Sequence, residues 1–337
     1  MRARIWPTLS WLGSLKATLV WLALTALVLA HSIANGEPVS VIIALPFAGL
    51  GLNLLLTLVV NRHLRSQSGL LLFHLGLALI AVLAALGRLL ALSGHVEVTE
   101  GAAFEPALVV AEQGPLHPGH LDRVSFVQGS FRIHYDPGVK RRDTVSTVFL
   151  LDGADGWQPA EVGDDRPLVV GGYRFYTSFN KGFAPLLTYR DASGGVQQGA
   201  VHLPSFPLKS YEQGNHWTLP DQSAEVKLWL DIEDAVVDEN TAWTFRTPDA
   251  TELVVIAGDE RTALQPGDSM ALGRGRLSYD GLKTWMGYSI YYDPTRRWLL
   301  AAAAMAALGL FWHIVGKLRL ARILRPAGRQ GVYSHGS

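Results

Sequence analysis

The chain has 337 residues, nearly half of them hydrophobic and only 17% charged, a balance already low in charge for a soluble protein. Its 29 basic and 29 acidic residues cancel, so no global field points to nucleic acid or to an acidic partner. Cysteine is absent, which excludes disulfides, C-x-x-C redox chemistry, thiolate metal sites and thioether attachment of haem to this chain.

The apolar residues are bunched. A first run spans 15–34, with Lys16 near its start. The preceding Met1–Ser14 carries Arg2 and Arg4 but no small-residue cleavage site, so a retained helix is expected in place of a removed signal peptide. Asn35-Gly-Glu-Pro38 reads as a turn. A second run covers 39–60 and is broken by Asn61-Arg-His-Leu-Arg65; a third covers 68–92. Each holds roughly 20 or more residues, enough at about 1.5 Å per residue to cross a hydrocarbon core of about 30 Å. A shorter fourth run is expected from Trp298 to Val315.

Basic residues in short flanks set the orientation. Arg2, Arg4 and Lys16, then Arg62 and Arg65, then Lys317, Arg319, Arg322, Arg325 and Arg329 all fall on one side if the four runs cross. That side is cytoplasmic by the positive-inside rule, and Arg296 and Arg297 are the outnumbered exception. The expected organisation is a membrane domain at 1–93, an extracytoplasmic domain at 94–296, and a C-terminal helix with a basic tail at 297–337.

Between Gly94 and Asp293 the pattern changes to short β-branched and aromatic runs separated by Gly, Pro and Asp. Strands are predicted at 96–98, 131–135, 145–149, 173–176, 185–189, 226–230, 243–245, 253–256 and 288–292. No long 3.6-residue period intervenes. The fold class is therefore a membrane protein, three helices N-terminal and one C-terminal, with a large mainly-β domain of sandwich or barrel type. Asp191–Gly199 is expected to be a hairpin tip or loop, and Gly273-Arg-Gly275 a turn.

No nucleophile elbow, zinc-protease motif, P-loop or dinucleotide fingerprint is present, and nothing in the chain asks for catalysis. The acidic pairs Glu233-Asp234 and Asp238-Glu239 read as solvated loop surface. The histidines remain. His95, His117, His120, His134, His202 and His216 lie outside the membrane runs; His117-x-x-His120 has a metal-compatible spacing but sits in a Pro/Gly loop without a third ligand. His31 is expected at an interface, His63 in a cytoplasmic turn, and His335 in a polar tail.

His74 stands apart, six residues into the third run and roughly 9 Å from its start. An ionisable side chain at that depth is a functional-site hypothesis. It serves either as a hydrogen-bonding link between helices or as an axial ligand to haem iron. Ala78, Ala81, Ala85 and Arg88 fall within about 40° of it on the helix surface. That small-residue stripe either lets a helix approach or leaves room for a flat macrocycle, with Arg88 as a candidate propionate contact about 21 Å along the axis. His313, at a comparable depth in the fourth run, either snorkels to the interface beside Lys317 or supplies a second ligand.

Taken in order, these landmarks resemble the ResB (CcsB) family of cytochrome c biogenesis system II. The resemblance rests on Leu12-Gly-Ser-Leu-Lys-Ala-Thr-Leu19, Phe73-His-Leu-Gly76, Gly94-His-Val-Glu-Val-Thr-Glu-Gly101 and Phe131-Arg-Ile-His-Tyr-Asp-Pro-Gly138 with Ser146 following. Arg166-Pro-Leu, Gly172-Tyr-Arg-Phe-Tyr-Thr-Ser178 and Gly287 to Pro294 continue it. It implies a bacterial inner-membrane protein that is not itself an enzyme. Its role would be to help carry haem b, held transiently and shared with a ResC/CcsA-type partner, and to present apocytochrome c. By the same resemblance His74 is the haem ligand in this subunit, with the opposing ligand on the partner. Membrane lipid is the remaining contact, and nucleic acid is not a partner. The chain is short for the family and lacks cysteine, which speaks against a thiol-carrying role. Two other readings stay open: a membrane-anchored β-domain scaffold or receptor without haem, and an electron-transfer subunit holding haem between His74 and His313.

Overall fold

The structure, a computed structural model, describes residues 11–35, 41–152, 156–207, 213–222, 224–232, 236–249 and 251–323. Arg2, Arg4, Arg325, Arg329, residues 36–38 of the first turn, Glu233-Asp234 and His335 lie outside the described residues. The chain divides into two compact units. One gathers the segment up to Ala91, the short stretch Gln113–His117 and the chain from Asp293 onward; the other holds Leu92–Glu112 and Pro118–Tyr292.

The helical unit contains α1 (Leu15–Ala34), α2 (Ala44–Val60), the short α3 (Arg62–Ser66), α4 (Ser68–Leu90) and α5 (Arg296–Ile323). Among the described residues four helices are long and apolar enough to cross a membrane, the second counted from the 3₁₀ turn Val41–Ile43 that leads into α2. Two ends differ from expectation. α4 stops at Leu90 because Ala91 is already extended, and Leu92 opens a strand. α5 is ten residues longer than the apolar run alone, because the flanking Arg and Lys residues are good helix formers and continue it. The break at residues 61–65 is itself a helical turn, in which Asn61 Oδ1 accepts from the His63 and Leu64 amides at 3.0 and 3.4 Å.

Polar groups fix how α1 meets α2. Asn53, buried on α2, donates from Nδ2 to the carbonyls of Leu12 and Ser14 and accepts from Thr18 Oγ1 at 2.7 Å. Thr57 donates to the Gly13 carbonyl at 2.9 Å. The Leu12-Gly-Ser turn is thus held by two side chains from a neighbouring helix. The far end of α4 is also closed from a distance. Gly114 N donates to Ala91 O (2.8 Å), Leu116 N to Leu89 O (2.9 Å) and His117 Nδ1 to Leu90 O (2.9 Å), satisfying carbonyls that a helix C-terminus leaves bare.

The β unit is built on two 18-residue strands, β7 (Tyr173–Arg190) and β15 (Gly275–Tyr292), paired antiparallel. Around them run β1 (Leu92–Thr99), β2 (Val110–Gln113), β6 (Leu168–Val170), β8 (Val196–Ala200) and β14 (Ser269–Leu272), completing a seven-stranded sheet. Two four-stranded sheets accompany it. One is β11–β3–β4–β5 (Trp243–Thr244, Val127–Tyr135, Arg141–Asp152, Gly156–Gly163), the other β13–β12–β10–β9 (Glu260–Leu264, Thr251–Ala257, Glu225–Ile232, Gly214–Thr218). Each makes its own core with a different stretch of the long pair. Phe126, Ile133, Val148, Phe175 and Tyr288 mark the first core; Leu187, Leu228, Val255 and Tyr279 mark the second. The domain is therefore a double sandwich on one spine. The predicted runs 173–176 and 185–189 are parts of a single strand, bent where residues 178–180 bulge opposite Gly287. Any side chain at Gly287 would meet the Asn180 carbonyl, its Cβ lying 2.8 Å away. Asp191–Gly195 forms the β7–β8 turn, and Gly273 sits in the β14–β15 turn with φ +56°.

The first core encloses several hydrogen-bonded polar groups. Gln128, Ser146 and Tyr288 form a buried triangle of hydrogen bonds of 2.6–2.9 Å joining β3, β4 and β15. Lys181 is buried too, donating from Nζ to the Phe179 carbonyl at 2.9 Å and lying over the Tyr135 ring. Burial, and then the Arg141 charge, lower its pKa from 10.5 to about 8.

Two expected outcomes follow. Asn53→Ala takes the side-chain donor from the Leu12 carbonyl, while Ser14 O and Thr18 Oγ1 keep their bond to each other, and should cost about 1–2 kcal/mol of stability in detergent, read as a lower melting temperature. For Lys181, the unfolded chain holds a proton between pH 8 and 10.5 that the folded protein releases, so stability rises across that window and the penalty is complete below it. Lys181→Met should therefore stabilise the β unit at pH 7 by up to about 3 kcal/mol, with the gain vanishing by pH 10.5 in paired denaturation curves.

Candidate functional site

α4 carries the candidate site because its Leu- and Ala-rich sequence favours a helix despite three glycines, and it places His74 about one and a half turns from its start. His74 Nδ1 lies 2.8 Å from the Leu70 carbonyl, one turn back along the same helix. A carbonyl only accepts, so Nδ1 is the protonated nitrogen, and in the neutral ring Nε2 keeps its lone pair. The ring is half-buried and meets the Phe73 ring edge-on at 5.2 Å. This tautomer presents a donor atom that a metal can take, oriented by a bond to its own backbone.

The rest of α4 decides what that nitrogen faces. Gly69 and Gly76 lie about 140° and 160° round the helix from His74, on nearly the same face as each other. Both are points of backbone contact with α5: a Cβ at Gly69 would sit 2.6 Å from the His313 amide, and one at Gly76 would sit 2.7 Å from Ala306. α5 therefore packs on the side of α4 away from His74. His313, half-buried, belongs to that contact through its own backbone. On α5 it is thus the His313 backbone that meets Gly69, about 140° round α4 from His74.

The alanine stripe is filled by protein. Ala78 is fully buried, Ala81 and Ala85 nearly so, and Gly51 of α2 sits against Ala78 and Val82. The stripe is a helix-packing surface. Arg88 is exposed. Fourteen residues separate it from His74, about 21 Å along the helix, farther than haem iron lies from its own carboxylates.

Several of the other histidines have local partners. His117 closes the end of α4 as described, so the His117-x-x-His120 spacing serves a helix terminus. His134 pairs with Asp143 (2.9 Å), His202 with Glu97 (3.0 Å) and Thr99 (2.8 Å), and His63 with Gln67 (2.9 Å). Among the described residues no three His, Asp or Glu side chains group to hold a metal ion. What the geometry offers a cofactor is one imidazole nitrogen, enough for one axial position on haem iron. Asn53, Lys181 and the His117 cap are absent from any motif reading. Only Asn53 left a signal, as a lone amide in an otherwise apolar run.

Among solved structures, one similar chain is a cytochrome c haem lyase, CcmF, at 14% identity and a TM-score of 0.28. The match covers 89% of this chain and 34% of the other, so the chain spans about a third of that protein's length, and likeness at this level carries no argument. No curated protein matches closely enough to count as a relative. A family model described as ResB-like matches residues 57–320, from the end of α2 through most of α5 and well over half of the sequence. The chain belongs to the ResB-like family.

Proposed function

We propose that this protein is a cytochrome c biogenesis subunit of system II. In this reading it lies in the bacterial inner membrane with its β unit on the periplasmic side, and it works beside a ResC/CcsA-type partner. It is an assembly factor and not an enzyme: it holds haem b at one axial position while the partner supplies the opposing ligand, and its outer domain presents apocytochrome c. The observation that carries this is the His74 tautomer, in which the Leu70 carbonyl takes the Nδ1 proton and leaves Nε2 as a ligand. Haem bound there would supply the iron and porphyrin to be delivered. This chain's part is to fix the imidazole, keep a hydrophobic surround through Phe73, and leave the other axial side to a second chain. The basic flanks Lys16, Arg62, Arg65, Lys317 and Arg319 support the sidedness.

One second reading has its own support. The stripe Ala78-Ala81-Ala85 is wholly used in packing, as expected of a plain anchor for a β domain, with His74 bonded only to its own helix. The absorption spectrum of the protein purified with its partner separates the two. A Soret band that falls at least tenfold in His74→Ala, and returns on adding free imidazole, supports the haem subunit. His313→Ala should leave the band unchanged. A band indifferent to His74, or no band together with normal cytochromes c in a deletion strain, leaves the anchored domain.

A further inference from the structure

A groove of about 830 Å³ opens in the β unit between the edge of the seven-stranded sheet at β8 and the edge strand β9, with the segment after β1 along its side. Its wall is rigid at one point. His202 is stacked on Trp285 (5.2 Å between ring centres, 17° apart), and its two ring nitrogens are engaged by Glu97 and Thr99. Asn215 Nδ2 donates to the His202 carbonyl at 2.8 Å, tying the start of β9 to this wall.

β8 is an unprotected edge. Val201 N donates to Pro185 O and Leu203 N to Phe183 O, so the odd-numbered peptide groups of this stretch turn toward β7. The even-numbered groups, those of Gln198 and Ala200, turn outward, and among the described residues no strand pairs β8 on that side. Strand residues 196–199 are all exposed. An edge of this kind is a template for one more strand. The groove's charge is unbalanced, with Glu97, Glu100 and Glu105 against Lys283 as its one permanent cation. Trp217 adds an aromatic surface.

We propose that this groove binds an extended, positively charged polypeptide segment, added as a strand along β8 with its cationic side chains toward Glu100 and Glu105. Backbone bonding to Ala200 gives the register, and the carboxylates select for charge. This deepens the reading above, from which comes only the identity of the polypeptide as apocytochrome c; the preference for an extended cationic chain stands on the groove alone.

The test uses the full-length protein in detergent and a fluorescent ten-residue peptide alternating Lys with Thr or Val, followed by anisotropy. Saturable, salt-sensitive binding is expected, with an affinity at least tenfold above that of the same peptide carrying Glu for Lys. Methylating the peptide's alternate amides removes the strand bonds and should abolish binding without touching the protein. Ala200→Pro should do the same, because its outward N–H is the one lost and β7 keeps its bonds. Glu100→Gln with Glu105→Gln should weaken binding about tenfold and flatten the salt dependence. Equal binding of the Glu peptide, indifference to amide methylation, or no binding overturns the proposal. So does sedimentation showing that Ala200→Pro merely dissolves a dimer, which would make a second copy the occupant. Haem absorbance separates the two readings: peptide binding without haem sinks the haem subunit and keeps the groove, while haem without peptide binding does the reverse.

Discussion

Backbone contact between α4 and α5 is the constraint on which the candidate site depends. Gly69 and Gly76 let the second helix come within touching distance of the first, and Gly309 does the same from the other side, where a Cβ would lie 2.4 Å from the Phe73 amide. In an apolar solvent helices gain little from burying leucines against each other, so close approach through small residues carries the association. One face of α4 is consumed in this way and a second, the alanine stripe, is taken up in packing that includes Gly51 of α2. His74 sits at the N-terminal edge of what remains. Which way His74 faces relative to α5 is therefore set by where the glycines fall.

Much of the helical architecture was legible in the sequence because lipid-spanning helices announce themselves by length and hydropathy. The ends were less so. Leu92 extends the apolar run but is a strand residue paired with Tyr292, and an apolar residue does not reveal which ladder it joins. The strands at 131–135, 226–230 and 253–256 were visible from β-branched and aromatic runs, whereas the union of 173–176 and 185–189 was not. A bulge at Ser178–Asn180 looks like a turn until its partner strand is known. For the site, periodicity placed Ala78, Ala81 and Ala85 correctly on the face of His74, but it does not tell a slot for a ligand from a seat for a helix. That distinction needed the position of Gly51, far off in the sequence. The relation of His313 to His74 was beyond the sequence for the same reason: depth along a helix is a one-dimensional coordinate, and azimuth relative to a neighbour is not contained in it.

The β unit shows how a cysteine-free domain holds itself together. Two long strands provide a common wall, and each small sheet closes a separate hydrophobic core against it, so no single core has to span the domain. Polar groups inside are used where they join sheets: the Gln128–Ser146–Tyr288 triangle pins two strands of one sheet to the spine of another. Lys181 is the exception, a buried amine that donates to the Phe179 carbonyl beside a nearby arginine, retained at a cost that grows as the pH falls from 10.5 towards 8 and is complete below it.

The closing of α4 by Gly114, Leu116 and His117 has a consequence for how the chain can be divided. Three carbonyls at the end of that helix are completed by a five-residue stretch that follows two strands of the β unit. The polypeptide leaves the helical unit at Ala91, comes back at residue 113 to finish it, and leaves again. A fragment ending at residue 91 would contain every residue of α4 and still carry a frayed last turn. The two units are interleaved in sequence, and during synthesis the third long helix is complete only after the 21 residues Leu92–Glu112 of the other unit and the stretch Gln113–His117 have emerged.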